Sequence, residues 1–161
     1  MTNKVLVAYA SNAGSTIEVA EAVGKTLSAG GATVDVKDIG ALGDIGGYDA
    51  YVFAAPMIIG WHKGMRDFLK AKQGALAGKP VAYLITLLNM VKSGEESYKG
   101  VPITWDPAHG LPMPAGGKLD MSKLNLFGKL FIRFIIRHQE SDFRNWEAIN
   151  AWAESLPSMM A

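Results

Sequence analysis

Hydrophobic residues along the chain follow two rhythms. Lys4–Ala10 is a near-continuous apolar and β-branched run, the pattern of a strand buried on both faces. From Ile17 to Ser28 the apolar residues Ile17, Val19, Ala20, Val23 and Leu27 recur at helical spacing, and Gly30-Gly31 stops the helix. Thr33–Val36 alternates and predicts a second, more peripheral strand. Tyr51–Ala55 predicts a third, closed by Pro56, and Val81–Leu88 a fourth that is apolar almost throughout. Between those two, Gly64–Lys72 predicts a helix with Met65, Phe68 and Leu69 inward.

Strands of the buried type alternating with helices require crossover connections, and so a parallel sheet covered on both faces. Right-handed crossovers leave doubly wound topologies as the main option. The rhythm is lost from Lys92 to Gly117, a segment rich in glycine that holds Pro102, Pro107, Pro112 and Pro114 and is too long for an ordinary connection. A fifth strand is expected near Gly110–Ala115, although Pro112 and Pro114 argue against a central one. Two helices follow. Ser122–His138 is strongly apolar, with Lys129, Arg133 and Arg137 in a basic stripe. Asp142–Leu156 carries Phe143, Trp146, Ile149, Trp152, Ala153 and Leu156 on one face, with Asp142 as the expected N-cap.

Composition narrows the chemistry. With 161 residues, 49% of them apolar and 19% charged, the chain is one well-packed domain. A net charge of +1 gives no field that would draw nucleic acid. The absence of cysteine excludes disulfides, thiolate nucleophiles, cysteine-ligated zinc and iron–sulfur clusters. His62, His109 and His138 are too scattered for a metal site. No apolar run reaches the roughly 18 residues of a spanning helix, and the short apolar start does not make a signal segment. The expectation is a cytoplasmic protein.

Two loops carry candidate chemistry. After the first strand comes "YASNAGST", Tyr9 to Thr16, leading into the first helix. A helix N-terminus offers outward amides and a favourable dipole to an anion. No lysine follows Gly14 as a nucleoside-triphosphate loop requires, and the dinucleotide pattern of three glycines is missing. What remains is Ser11, Ser15, Thr16 and the Asn12 side chain around one point, a cradle suited to a single phosphate monoester. Equally, Ser11 or Ser15 simply caps the helix. After the third strand, "APMIIGWHKG" strings Met57, Ile58, Ile59 and Trp61 together, which is costly at a surface unless something flat covers them. In a sheet of order 2-1-3-4-5 these two loops flank the topological switch point. A flat aromatic ligand with a phosphate tail fits both loops; the plainer reading makes Trp61 a packing residue.

These residues resemble the flavodoxin family, whose phosphate loop [ST]-x-[ST]-G-x-[ST] aligns with Ser11-Asn12-Ala13-Gly14-Ser15-Thr16. Ala13 departs from the pattern and leaves only its backbone amide there. The resemblance implies a flavodoxin-like three-layer sandwich, a five-stranded parallel sheet of order 2-1-3-4-5 with helices on both faces, and FMN as cofactor. Ser11, Asn12, Ala13, Gly14, Ser15 and Thr16 would then hold the phosphate, and Pro56, Met57, Ile58, Gly60 and Trp61 would wall one side of the flavin. Leu87, Leu88, Asn89 and Met90 would wall the other. The Tyr9–Thr16 start, the Pro56–His62 loop, "GGKLDMSKL" at 116–124, "LFGKLFIRFII" at 126–136 and the Trp-bearing last helix look like the branch containing the menaquinone-dependent protoporphyrinogen oxidases. That branch implies an FMN-dependent oxidoreductase with a quinone or redox protein as partner and an anionic substrate such as a porphyrinogen. The alternatives are a small electron carrier, or an interaction module that kept the fold without the flavin. Carriers of this family tend to be acidic, unlike this chain. Lys123, Lys129, Arg133, Arg137 and His138, interleaved with Leu130, Phe131, Phe134 and Ile135, would suit peripheral contact of 123–138 with the inner face of the cell membrane, an anionic substrate, or one solvated stripe on a core helix.

Overall fold

In the computed structural model, which describes residues 3–11, 14–57, 61–87, 113–116, 118–119, 141–142, 144 and 146–159, the first strand shows why both sheet faces are covered. In β1 (Lys4–Tyr9), Leu6 and Ala8 enter one core cluster, while Val5 and Val7 enter another on the opposite face. β1 pairs in parallel with β2 (Thr33–Asp38) on one side and β3 (Ala50–Met57) on the other. β4 (Val81–Leu87) and β5 (Met113–Gly116) continue outward from β3, both parallel, giving the order β2-β1-β3-β4-β5. The order is the expected one, and β5 falls at the edge, where its Pro114 removes no central ladder bond.

On one face, α1 (Ser15–Ala29) buries Val19, Ala20, Val23 and Leu27 beside Ile149, Ala153 and Leu156 of the last helix. On the other face, α2 (Lys63–Ala71) buries Met65 and Leu69 and turns into the single-turn α3 (Gln73–Leu76). Tyr51, Phe53 and Tyr83 line that second face as an aromatic ladder, Tyr51 stacked on Phe53 and Phe53 on Tyr83 at 6.0 and 6.3 Å between centroids.

Four sequence expectations are corrected. The inward stripe of α1 runs through Thr16, Val19, Ala20, Val23, Gly24 and Leu27, leaving Ile17 half-buried beside it. β3 continues through Pro56 rather than ending before it. The Ala54 carbonyl accepts from Ala10 N at 3.0 Å, and the β1 register ends at Tyr9–Ala54, so Pro56 lies past the last residue of β3 paired with β1. Asp142 is not the cap of the last helix. With Ser141 it forms β7 (Ser141–Asp142), antiparallel to β6 (Lys118–Leu119), and the helix, α4, spans Trp146–Met159. Trp61, the fourth case, belongs to the site below. The expected helix at 122–138, with its basic stripe, lies outside the described residues, and among these no helix is long and apolar enough to cross a membrane.

Candidate functional site

β1 and β3 are neighbours, but the chain leaves them in opposite directions: through α1 out to β2, and through α2 out to β4. The loops after their C-terminal ends diverge, and the crevice between them is where an open α/β sheet takes a ligand.

On the first side of the crevice, Gly14 holds the left-handed conformation at φ 84°, a shape that costs an L side chain about 1–2 kcal/mol. The Ser11 hydroxyl accepts from Gly14 N at 2.8 Å and closes the turn. Ser11 therefore shapes the loop and does not cap the helix. The residue at the cap position is Gly14, with no side chain to spend on the first-turn amides of α1. Those amides stand at the positive end of a helix of 15 residues.

Thr16, in the same turn, is not a loop-surface hydroxyl. It is fully buried and shares a 2.8 Å hydrogen bond with Thr86, 2% exposed, near the end of β4. Two hydroxyls carry two O–H groups, and the bond between them uses one. The second O–H has no partner among the described residues, although both side chains are buried. Buried donors without acceptors are uncommon and call for an explanation. A turn whose amides have no capping side chain, with a left-handed glycine beside it, suits an incoming phosphate, while the buried Thr16 hydroxyl ties the turn to β4. Thr86 was not evident from the sequence; its only signal was a hydroxyl in the otherwise apolar end of the fourth strand.

Opposite, the loop after β3 is pinned at both ends. His62 N donates to the Pro56 carbonyl at 3.0 Å, and the Trp61 indole N–H donates to the Ala55 carbonyl at 3.1 Å. The expectation that Trp61 walls a flat ligand is corrected here. Its ring is 1% exposed, packs edge-on to Tyr83 at 5.6 Å between centroids, and belongs to the α2-side core. An acceptor six residues back draws the indole inward, where both its apolar body and its N–H are satisfied. His62 caps α2, its Nδ1 accepting from Met65 N at 3.2 Å. Burial pushes the imidazole pKa below 6.5, while Asp38 opposes the shift, so the neutral capping form is favoured.

Behind α1, Arg144 pairs with Glu18, whose carboxylate would otherwise repel an anion at this helix start, and stacks on Trp146 at 4.7 Å. Of the residues expected at the site, Ser11, Gly14, Ser15 and Thr16 gather at the α1 turn, and Pro56 starts the second loop. Met57 and Leu87 are described only as backbone at the ends of β3 and β4. Asn12, Ala13, Ile58, Gly60, Leu88, Asn89 and Met90 lie outside the described residues.

A model of the flavodoxin domain family matches residues 6–145. The chain belongs to that family. FMN is the cofactor of flavodoxins. Solved structures agree on the fold. The chain is 18% identical to rubredoxin oxygen:oxidoreductase of Desulfovibrio gigas, with TM-score 0.63, covering 98% of this chain and 36% of that one. A short-chain flavodoxin associated with a non-canonical PDU bacterial microcompartment is 18% identical, with TM-score 0.58 and 100% of both chains covered. A flavodoxin from Streptococcus pneumonia TIGR4 is 18% identical, with TM-score 0.53, covering 96% of this chain and 98% of that one. The chain spans 62% of an archaeal flavodoxin that it also matches. No curated protein matches.

Proposed function

We propose that this flavodoxin-domain chain binds FMN at the crevice between the loops after β1 and β3, and passes electrons through it. One observation carries the reading: the first turn of α1 combines a left-handed Gly14 with amides that no side chain caps. These residues fit a phosphate monoester. Ser11 shapes the turn by accepting from Gly14 N, and the first-turn amides of α1, with the Ser15 hydroxyl, would donate to the phosphate oxygens. On the other side, the loop after β3 starts and ends in fixed positions beside the crevice, tied by the His62 N to Pro56 carbonyl and Trp61 to Ala55 carbonyl bonds. FMN, when bound, supplies the electron-accepting and electron-donating chemistry itself, so no protein acid or base is required. The purified protein is therefore expected to be yellow, with flavin absorbance and a released cofactor of the mass of FMN. A colourless protein that takes up no added FMN would favour a flavin-free module on the same fold.

A narrower reading, an oxidoreductase of the protoporphyrinogen-oxidase type, is supported by the Pro56–His62 and "GGKLDMSKL" motifs and by the near-neutral charge. The structural neighbours add nothing to it. Anaerobic turnover of protoporphyrinogen with a menaquinone analogue separates this enzyme from a small electron carrier working with a redox protein.

A further inference from the structure

The outward face of α2 carries a row of charge that the crevice chemistry leaves unused. Met65 and Leu69 face the core, so Lys63, Arg66, Asp67 and Lys70, at helical spacing on the opposite side, are exposed. Lys63 bridges to Asp67, while Arg66 and Lys70 form no salt bridge among the described residues. Asp67 is fully exposed, yet its carboxyl pKa lies below the usual carboxylate value. The bond from Lys63 is the main cause, the charges of Lys63, Arg66 and Lys70 add to it, and desolvation alone opposes them. Asp38 and Asp44 lie on the segment that meets α2 where Lys72 Nζ donates to the Gly43 carbonyl, and each accepts from a backbone amide two residues on, Gly40 N and Gly46 N. The row starts at the crevice: His62, which caps α2, closes the loop after β3 on the Pro56 carbonyl, and Lys63 follows it directly.

Resting on the FMN reading above, we propose that this face of α2 docks an acidic electron-transfer protein, with Arg66 and Lys70 meeting its carboxylates and Lys63 at the crevice rim. A chain of net charge +1 has no overall field to steer such a partner, so a local row of cations sets where it lands. An anionic membrane fits this face less well, because binding to lipid draws on buried apolar area as well as charge. The exposed face of α2 offers no apolar side chain larger than Ala71, and the one large exposed apolar side chain among the described residues, Trp146, belongs to α4.

The test titrates the full-length protein, loaded with FMN, at low ionic strength with a two-iron ferredoxin as the acidic probe and cytochrome c as the basic one. Binding is followed by backbone amide NMR shifts and by calorimetry. Ferredoxin should shift the amides of α2, and cytochrome c should not. Arg66→Glu/Lys70→Glu should weaken ferredoxin roughly tenfold, and added salt should weaken it likewise. Lys25→Glu/Lys79→Glu, the same charge change away from α2, should leave it unaltered. Absence of shifts at α2, equal weakening by both variants, or unaltered ferredoxin binding by Arg66→Glu/Lys70→Glu overturns the proposal. So does a variant that loses phosphatidylglycerol vesicles but keeps ferredoxin, which would assign the row to a membrane. If Arg66→Glu/Lys70→Glu does not fold, Arg66→Gln/Lys70→Gln is read in the same way. Protein that takes up no FMN, scored by flavin absorbance before any partner is added, would instead overturn the FMN reading itself.

Discussion

Replacing Gly24 with alanine tests how tightly α1, the helix that presents the phosphate turn, is seated on the sheet. A Cβ at position 24 would lie 2.4 Å from Val36 Cγ2, on the edge strand β2, and 3.5 Å from Val34 Cγ1. The first distance is far inside van der Waals contact, and a β-branched valine has little rotamer freedom to yield. Overpacking of this kind costs about 1–3 kcal/mol. Alanine recovers about 0.5–1 kcal/mol over glycine inside a helix. The net expectation is destabilisation by about 1–2 kcal/mol, or about 2–8 °C in Tm for a chain of this size. The sign should reverse once Val36 is alanine. The Val36 Cβ is 3.9 Å away, ordinary contact, so in that background the helix-propensity gain stands alone. Thermal denaturation of the four proteins of the cycle measures this. Equal destabilisation of both backgrounds, or a stabilising Gly24→Ala in the wild type, would refute the claim that close approach of α1 to β2 demands glycine.

Other expectations follow from the site and its supports. In a variant with Trp105, Trp146 and Trp152 replaced by phenylalanine, acrylamide should quench the Trp61 fluorescence only weakly, and Trp61→Phe should cost about 0.5–1.5 kcal/mol through loss of the indole hydrogen bond to the Ala55 carbonyl; strong quenching would put the indole back in the crevice. His62 has a folded pKa below 6.5, so its contribution is complete above that value and lost as pH falls through the folded pKa. Denaturant midpoints measured across the acid range should drop, and His62→Asn should flatten the drop. Burial pushes the Tyr83 pKa up to about 12, so its contribution is complete below 10 and lost as pH rises towards 12. Alkaline unfolding followed by tyrosinate absorbance should therefore be shallower in Tyr83→Phe.

What could be read in the sequence, and what could not, divides by the range of the interactions. The strands of β1, β3 and β4 are legible because each is buried on both faces, and an unbroken apolar run has few other uses. The helix seated by Met65 and Leu69 is legible for the same reason, through its spacing. Asp142 is misread because a carboxylate before an apolar periodicity has the form of a cap, whereas its backbone pairs with Lys118, a contact no local pattern carries. Trp61 is misread because consecutive apolar loop residues suggest exposure, while the carbonyl that captures its indole belongs to the preceding strand. At the phosphate turn, Gly14 and Ser11 are legible as a motif. The partner of Thr16 is not, since nothing near position 16 announces a hydroxyl on β4.

The central claim, that the α1 turn takes the phosphate of FMN, is tested most directly by titrating FMN into the flavin-free protein and following flavin fluorescence. The account predicts saturable quenching at one FMN per chain with micromolar or tighter affinity, weakened when inorganic phosphate competes for the turn. FMN fluorescence left unquenched at micromolar protein, or quenching indifferent to phosphate and equal for riboflavin, would contradict it.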